Sequence, residues 1–279
     1  MIEKIDFDRT FSHHMAEVNG VKLHFVSGGT GEPVVLLHGF PQTWYEWHRI
    51  MPALAERYTV IAPDLRGMGA SSKPTSGYDH QTVAEDIYQL VRHIGLGRVS
   101  IVGHDVGAPV GYAYAAAHPD DVRRLVMMEG APQTVESGGY WHMGFHAEPD
   151  IAESLIVGRE RMYLSWFYRR FGYNQAAFTE DDLDEYVRWY SAVGAMRSAL
   201  QYYRHAQQDF AQNKESQKQK LTMPVLAIGG EHSLGSYVEM MMQDFASNIR
   251  GSVIKDCGHW IAEEQLEELT RQLLAFLSE

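Results

Sequence analysis

Five residues, Gly103-His104-Asp105-Val106-Gly107, restrict the fold more tightly than any other part of the chain. They follow the apolar run Val99-Ser100-Ile101-Val102 and open an alanine-rich segment, Ala108 to Ala117, that reads as a helix. Two glycines around a central residue at a strand-to-helix junction describe a nucleophile elbow, a turn so sharp that a side chain at either glycine would strike neighbouring backbone. Where serine is the familiar nucleophile, this chain carries Asp105. A carboxylate has no proton to lose and needs no base for its attack. It suits displacement at saturated carbon, where it forms an alkyl ester. The elbow therefore implies opening of an epoxide or displacement of a halide. Pro109 fits the same local structure, because it falls in the first helical turn, where amides have no intrahelical partner.

The flanking sequence alternates strand and helix. Asn19-Gly20 between alternating segments predicts a hairpin over His14 to Val26. Pro33 to Leu37, Tyr58 to Ala62 and Leu125 to Met128 are continuous apolar runs, as expected of strands buried on both faces. Helical spacing joins Ala53 to Glu56 and recurs at Val83, Ile87, Leu90, Val91 and Ile94. From about residue 132 the strands stop, and Tyr, Trp, Arg and Gln appear at helical spacing, with Thr179 placed as an N-cap. Strands resume at Val225 to Ile228 and Ser252 to Ile254, and a last helix is expected over Glu264 to Leu277. The fold class is α/β: a mostly parallel central sheet with an inserted helical cap. The expected divisions are a core over 1–131, a cap over 132–220, and the rest of the core over 221–279.

Composition excludes several partners. A formal net charge of −12 argues against nucleic acid and anionic membrane, which need clustered Lys and Arg. The single cysteine, Cys257, excludes an intramolecular disulfide. Met1 to Asp6 has no apolar leader core, and no run is long enough to span a membrane, so a cytoplasmic protein is expected. A homodimer is compatible with this composition. No cofactor is expected. His142 and His146 share a spacing suited to a metal but have no evident third ligand, so no metal is expected either. Gly67-x-Gly69 lacks the rest of a dinucleotide fingerprint.

An ester on Asp105 must be hydrolysed by activated water. Behind such an elbow the acid and then the histidine follow in chain order. His259, in the loop after the last strand, is placed as general base. A carboxylate must orient it, and two compete: Glu129, at the end of the Leu125 to Met128 strand, and Glu231, after the Val225 to Ile228 strand. The acid position commonest after the latter strand falls on Ser233. The amides of Phe40 and Val106 are the expected oxyanion donors. His38 and His104 read as structural or supporting histidines, His13-His14 as a solvated pair, and Tyr163, Trp166, Phe167 and Tyr168 as chiefly cap core.

His38-Gly39-Phe40-Pro41-Gln42-Thr43, the Asp64 to Gly69 loop, the Asp105 elbow, Met128-Glu129 and Gly258-His259-Trp260 together make the chain resemble the epoxide hydrolases of the α/β-hydrolase fold. The resemblance is greatest to a bacterial subgroup that takes its acid from the end of the sixth strand, and it extends to the fluoroacetate dehalogenases. It implies Glu129 as the acid and His142, after Trp141, as a ring-opening histidine. It also implies a ring-opening tyrosine in Tyr202-Tyr203-Arg204, with Tyr203 favoured over Tyr202. The substrates implied are a small-molecule epoxide and water, and the product is a vicinal diol. The alternative is a dehalogenase of small organic halides. Against it, Val106 and Pro109 stand where fluoroacetate dehalogenases carry arginines, and Met143 where they carry a halide-binding tryptophan. A non-catalytic binder on the same fold would need neither Asp105 nor His259.

Overall fold

A computed structural model describes residues 4–134 and 140–279. Met1 to Glu3 of the N-terminal reading, and residues 135–139 near the expected start of the cap, lie outside the described residues. Helix α1 (Lys4–Thr10) leads into the hairpin β1 (Phe11–Val18) and β2 (Val21–Gly28). Asn19 and Gly20 both take positive φ, the conformation that a tight hairpin turn demands. Then come β3 (Glu32–Leu37), α2 (Met51–Ala55), β4 (Tyr58–Pro63), α3 (His80–His93), β5 (Val99–His104), α4 (Gly107–Ala117) and β6 (Val122–Met128). Among the described residues, six helices intervene before the next strand: α5 (Trp141–Ala147), α6 (Ile151–Ile156), α7 (Glu160–Phe171), α8 (Glu180–Tyr190), α9 (Ala195–Arg204) and α10 (Ala206–Ser216). The chain closes with β7 (Val225–Gly230), α11 (Tyr237–Met242), β8 (Ile249–Ile254), α12 (Ile261–Glu264) and α13 (Leu266–Leu277).

The eight strands form one sheet in the order β1-β2-β4-β3-β5-β6-β7-β8. Only the pairings of β2 with β1 and with β4 are antiparallel. The six strands from β4 to β8 run parallel and carry their side chains alternately into two cores. On β3, Val35 and Leu37 face a core shared with Val83, Ile87 and Leu90 of α3. Val34 and Leu36 face the opposite core, with Met51 and Leu54 of α2 and Leu269 and Leu273 of α13. Burial of each such side chain contributes roughly 1.5–3 kcal/mol, which is why these strands read as unbroken apolar runs.

The chain turns to opposite sides of β3 when it places β4 on one edge and β5 on the other. That reversal opens a crevice at the carboxyl ends of the strands, where open α/β sheets bind ligands. The cap enters directly above it, between β6 and β7. Its helix α8 begins with a reciprocal cap in which Thr179 accepts from the Asp182 amide and the Asp182 carboxylate accepts from the Thr179 amide. The expected single helix over Glu264 to Leu277 is two, separated at Gln265 (φ −138°, ψ 53°). The Glu264 carboxylate turns back to four backbone amides beside it, and this short helix becomes a clamp instead of a first turn. His13 and His14 are both exposed, as expected of a solvated pair, though His13 also has Nδ1 2.8 Å from His24 Nε2 and its ring edge against Trp44. No helix among the described residues is long and apolar enough to cross a membrane.

Candidate active site

Each strand end at the crevice delivers one polar group. Asp105 follows β5 with φ +49°, a left-handed conformation uncommon outside glycine, and its amide donates to the Met128 carbonyl at 3.0 Å. A Cβ on Gly103 would collide with the Gly107 carbonyl, and one on Gly107 with the Leu37 carbonyl. Both glycines are thus required for the turn to close against β3. Gly39 answers a different need, since a Cβ there would strike the Asp105 side chain itself.

The Phe40 amide donates to Asp105 Oδ1 at 2.8 Å. That oxygen therefore sits where negative charge on a tetrahedral Asp105 carbon would be received. Val106 occupies the N-cap position of α4, its amide next in the chain after Asp105. The other carboxylate oxygen, Oδ2, lies 3.6 Å from His259 Nε2. His259 Nδ1 lies 2.9 Å from Oε2 of Glu129, whose side chain is fully buried.

Glu129 is held firmly. Its Oε1 accepts from the amides of Gly230 (2.7 Å) and Leu234 (3.3 Å), and its Oε2 accepts from the Ser233 hydroxyl as well as facing His259. Ser233, the site where an acid was expected by position, thus supports the acid that stands on the neighbouring strand. Like Asp105, Glu129 has positive φ, +48°. Glu231 is exposed and its carboxylate accepts from the Asp256 amide at 3.1 Å. The structure brings Glu129, not Glu231, to His259.

The cap supplies the opposite wall. His142, on α5, and Tyr203, at the end of α9, line the same cavity as Asp105 and meet edge-to-face, their ring centroids 6.2 Å apart. Burial lowers His142 to about 4, against an opposing pull from the Asp105 charge. Burial, reinforced by Asp105, raises the Tyr203 hydroxyl well above its ordinary value. At neutral pH both are uncharged proton donors facing a carboxylate. Tyr202 also borders the cavity, but its hydroxyl donates to the Arg66 carbonyl at 3.0 Å. His146, one helical turn beyond His142, is bound through Nε2 to the Tyr163 hydroxyl at 2.6 Å.

Several supports have no sequence signature. Glu264 accepts from the amides of Gly258 and Trp260 on either side of His259, and from Tyr173 and Asn174 in the cap, so it ties the base loop to the cap. The hydroxyls of Tyr168 and Tyr190 donate to the carbonyls of Pro41 and Gln42 (2.7 and 2.8 Å), which fixes the loop carrying Phe40. His38 lies inside the core with Nε2 accepting from the Leu65 amide at 3.0 Å. His38 reads from sequence as a supporting histidine, while the roles of Glu264, Tyr168 and Tyr190 depend on what they meet in the fold, which sequence does not carry.

The cavity between core and cap has a volume of about 510 Å³. Its walls are mainly apolar and aromatic, and none of the described residues lining it is Lys or Arg. Phe167 from the expected aromatic cap core reaches it, as do Phe171 and Met241.

The alpha/beta hydrolase fold model matches residues 32–266. A soluble epoxide hydrolase from Corynebacterium sp. (strain C12) is 39% identical, the alignment covering 96% of this chain and 97% of that one. A fluoroacetate dehalogenase from Burkholderia sp. is 30% identical, over 96% of this chain and 94% of that one. Among solved structures, Cfl2 from Burkholderia cenocepacia superposes with a TM-score of 0.92 at 40% identity, covering 96% of each chain.

Proposed function

The chain belongs to the alpha/beta hydrolase fold family and is a hydrolase, and from that premise we propose that it opens epoxides to vicinal diols through an ester on Asp105. The observation that carries this reading is the pairing, across one cavity, of a carboxylate at the elbow with an uncharged histidine and tyrosine from the cap. Oδ2 of Asp105 attacks an epoxide carbon as the C–O bond breaks. His142 and Tyr203 donate hydrogen bonds to the departing oxygen, and one of them transfers its proton to it. His259 Nε2 then takes a proton from water, whose oxygen adds to the Asp105 carboxyl carbon. Oxyanion charge is received by the amides of Phe40 and Val106. Glu129 orients the imidazole and stabilises its charged form. Collapse of the intermediate breaks the bond between that carbon and the alkyl oxygen, the diol leaves with its proton from His259, and the other water proton, left on the Asp105 carboxyl, returns to the cap donor.

The same nucleophile could displace halide, and the dehalogenase relative favours weighing that reading. A haloacid carboxylate would find no Lys or Arg among the described cavity residues. The deciding experiment is intact-mass analysis of His259→Gln after incubation with styrene oxide and, separately, chloroacetate. That variant alkylates but stalls before hydrolysis. An adduct of the whole epoxide on Asp105 is expected. A carboxymethyl adduct from chloroacetate alone would replace this reading with dehalogenation.

A further inference from the structure

The cavity has a second polar end that the reaction just described does not use. Along α10, Ala206, Asp209, Phe210 and Asn213 line it, on a face about 10 Å long, while Gln207, Gln208 and Ala211 point to solvent. Facing them is His80, the first residue of α3. Asp209 is 97% buried by side chain, since only 3% of it is exposed. Its Oδ1 accepts from the His80 amide at 2.7 Å and so satisfies one of the free amides at the start of α3. No donor among the described residues meets its Oδ2. The Nδ1 of His80 is buried 3.4 Å from Asp209 Oδ1 without making a hydrogen bond, and Asn213 gives one amide hydrogen to the Gln133 carbonyl at 2.9 Å. Capping α3 explains one oxygen of Asp209. It does not explain a half-satisfied carboxyl opening onto a cavity, because buried polar groups are normally fully paired.

We propose that His80, Asp209 and Asn213 form a substrate subsite for an uncharged hydrogen-bonding group, a hydroxyl or carbonyl, carried by the epoxide substrate away from its ring. The proposal rests on the epoxide-opening reading and names the substrate class within it. Charge on the substrate is disfavoured from both directions. The described lining offers no cation to hold an anion. Burial raises the Asp209 carboxyl to about 8 and lowers His80 to about 4, so both are uncharged at neutral pH and neither attracts a cation. A neutral carboxylic acid both donates and accepts, as a hydroxyl partner requires.

The test compares terminal epoxyalkanes of increasing chain length with their ω-hydroxy counterparts. In the wild type the hydroxyl-to-methyl ratio of kcat/KM is expected to peak at one chain length, at about 10-fold or more, the effect of one well-made buried hydrogen bond. Asp209→Leu should bring the ratio to about 1, and Asp209→Asn, which keeps a neutral donor and acceptor, should retain the peak. His80→Phe, altering the same end from the core side, should flatten it and serves if Asp209→Leu does not fold. Equal turnover of both series at every length would overturn the subsite and leave epoxide opening intact. A peak that survives both Asp209→Leu and His80→Phe would also overturn it. Absence of turnover of either series by wild-type protein that still folds would remove the epoxide reading and the subsite with it.

Discussion

The Nε2 of His104 lies 2.9 Å from the backbone oxygen of His259, so the residue before Asp105 holds the loop that carries His259. On its other side His104 Nδ1 lies 3.0 Å from Glu46 Oε1, with both side chains almost wholly buried. Burial works against charge on His104, but the adjacent Glu46 carboxylate overrides it and raises the imidazole to about 10. Glu46 in turn accepts from the Gly39 amide, beside the Phe40 donor. One buried ion pair thus spans the elbow, the base loop and the oxyanion loop.

Breaking that pair from one side leaves a buried charge unpaired. His104→Gln is expected to lower stability by about 3–5 kcal/mol. The double variant Glu46→Gln/His104→Gln should recover part of the loss, since neither charge then remains. Urea unfolding of both variants measures this; a double variant no more stable than the single one would refute the pairing argument.

Glu129→Gln keeps the shape of the acid but removes the charge that stabilises the His259 imidazolium. Hydrolysis of the ester should slow by about 100-fold or more while alkylation persists, so alkyl-enzyme accumulates. Glu231→Gln, on the surface, should stay within about 2-fold of wild type. Rapid-quench mass analysis separates the two steps, and the reverse result would move the acid to Glu231.

On the proposed route, ring opening depends on the cap donors. Tyr203→Phe and His142→Gln should each slow formation of the ester by about 100-fold or more, with little change in its hydrolysis. Tyr202→Phe should act chiefly on stability, costing about 1 kcal/mol, because its hydroxyl is bonded to Arg66. Single-turnover kinetics and thermal melts of the three variants test the division.

Oxygen bookkeeping distinguishes attack on the ester carbon from direct attack of water on the epoxide. In a single turnover in ¹⁸O-water the diol should leave unlabelled and Asp105 should carry the label, because the bond broken is between the carboxyl carbon and the alkyl oxygen. Label in the first diol would exclude the covalent route.

Acid should destabilise the fold early. Burial lowers His48, His80 and His142 to about 4, and His146 to about 2, from an ordinary 6.5. Between pH 6.5 and 4 the unfolded chain takes up protons at these positions that the folded chain refuses, so stability rises with pH and falls as the pH drops through that window. Each histidine contributes at most about 1.4 kcal/mol per pH unit there, and Asp209, raised by burial to about 8, offsets part of this because its folded form holds a proton that the unfolded chain loses. Thermal melts from pH 7 to 4 should show a falling Tm, and His146→Phe should make the fall shallower. A Tm that is flat across the window would refute the assignment.

Local features of the fold were legible because local forces set them. The Asn19-Gly20 turn, the two-faced apolar strands and the glycine-flanked elbow all follow from backbone sterics and burial pattern, and the structure has them at the expected positions. The choice between Glu129 and Glu231 was not legible from residues alone. It depends on how far β6 and β7 project beside β5, a register between strands about a hundred residues apart in sequence. Tyr202 and Tyr203 differ by one step of a helix, about 100° of rotation, and only cap packing decides which hydroxyl stays free. Glu264, Tyr168 and Tyr190 look like ordinary helix residues until the loops they bind are folded beneath them. Asp209 has no motif at all, and its significance lies wholly in an oxygen left unpaired.

The insertion of α5 to α10 between β6 and β7 divides labour along the gene. Every group assigned to hydrolysing the ester lies at the ends of the sheet strands, and both proton donors assigned to the departing oxygen come from the inserted segment, as does most of the far end of the cavity. A recombination event at two seams could therefore exchange the repertoire of accepted epoxides while inheriting the deacylation machinery whole. Within such a lineage, new selectivity would arise by transplant as readily as by point mutation.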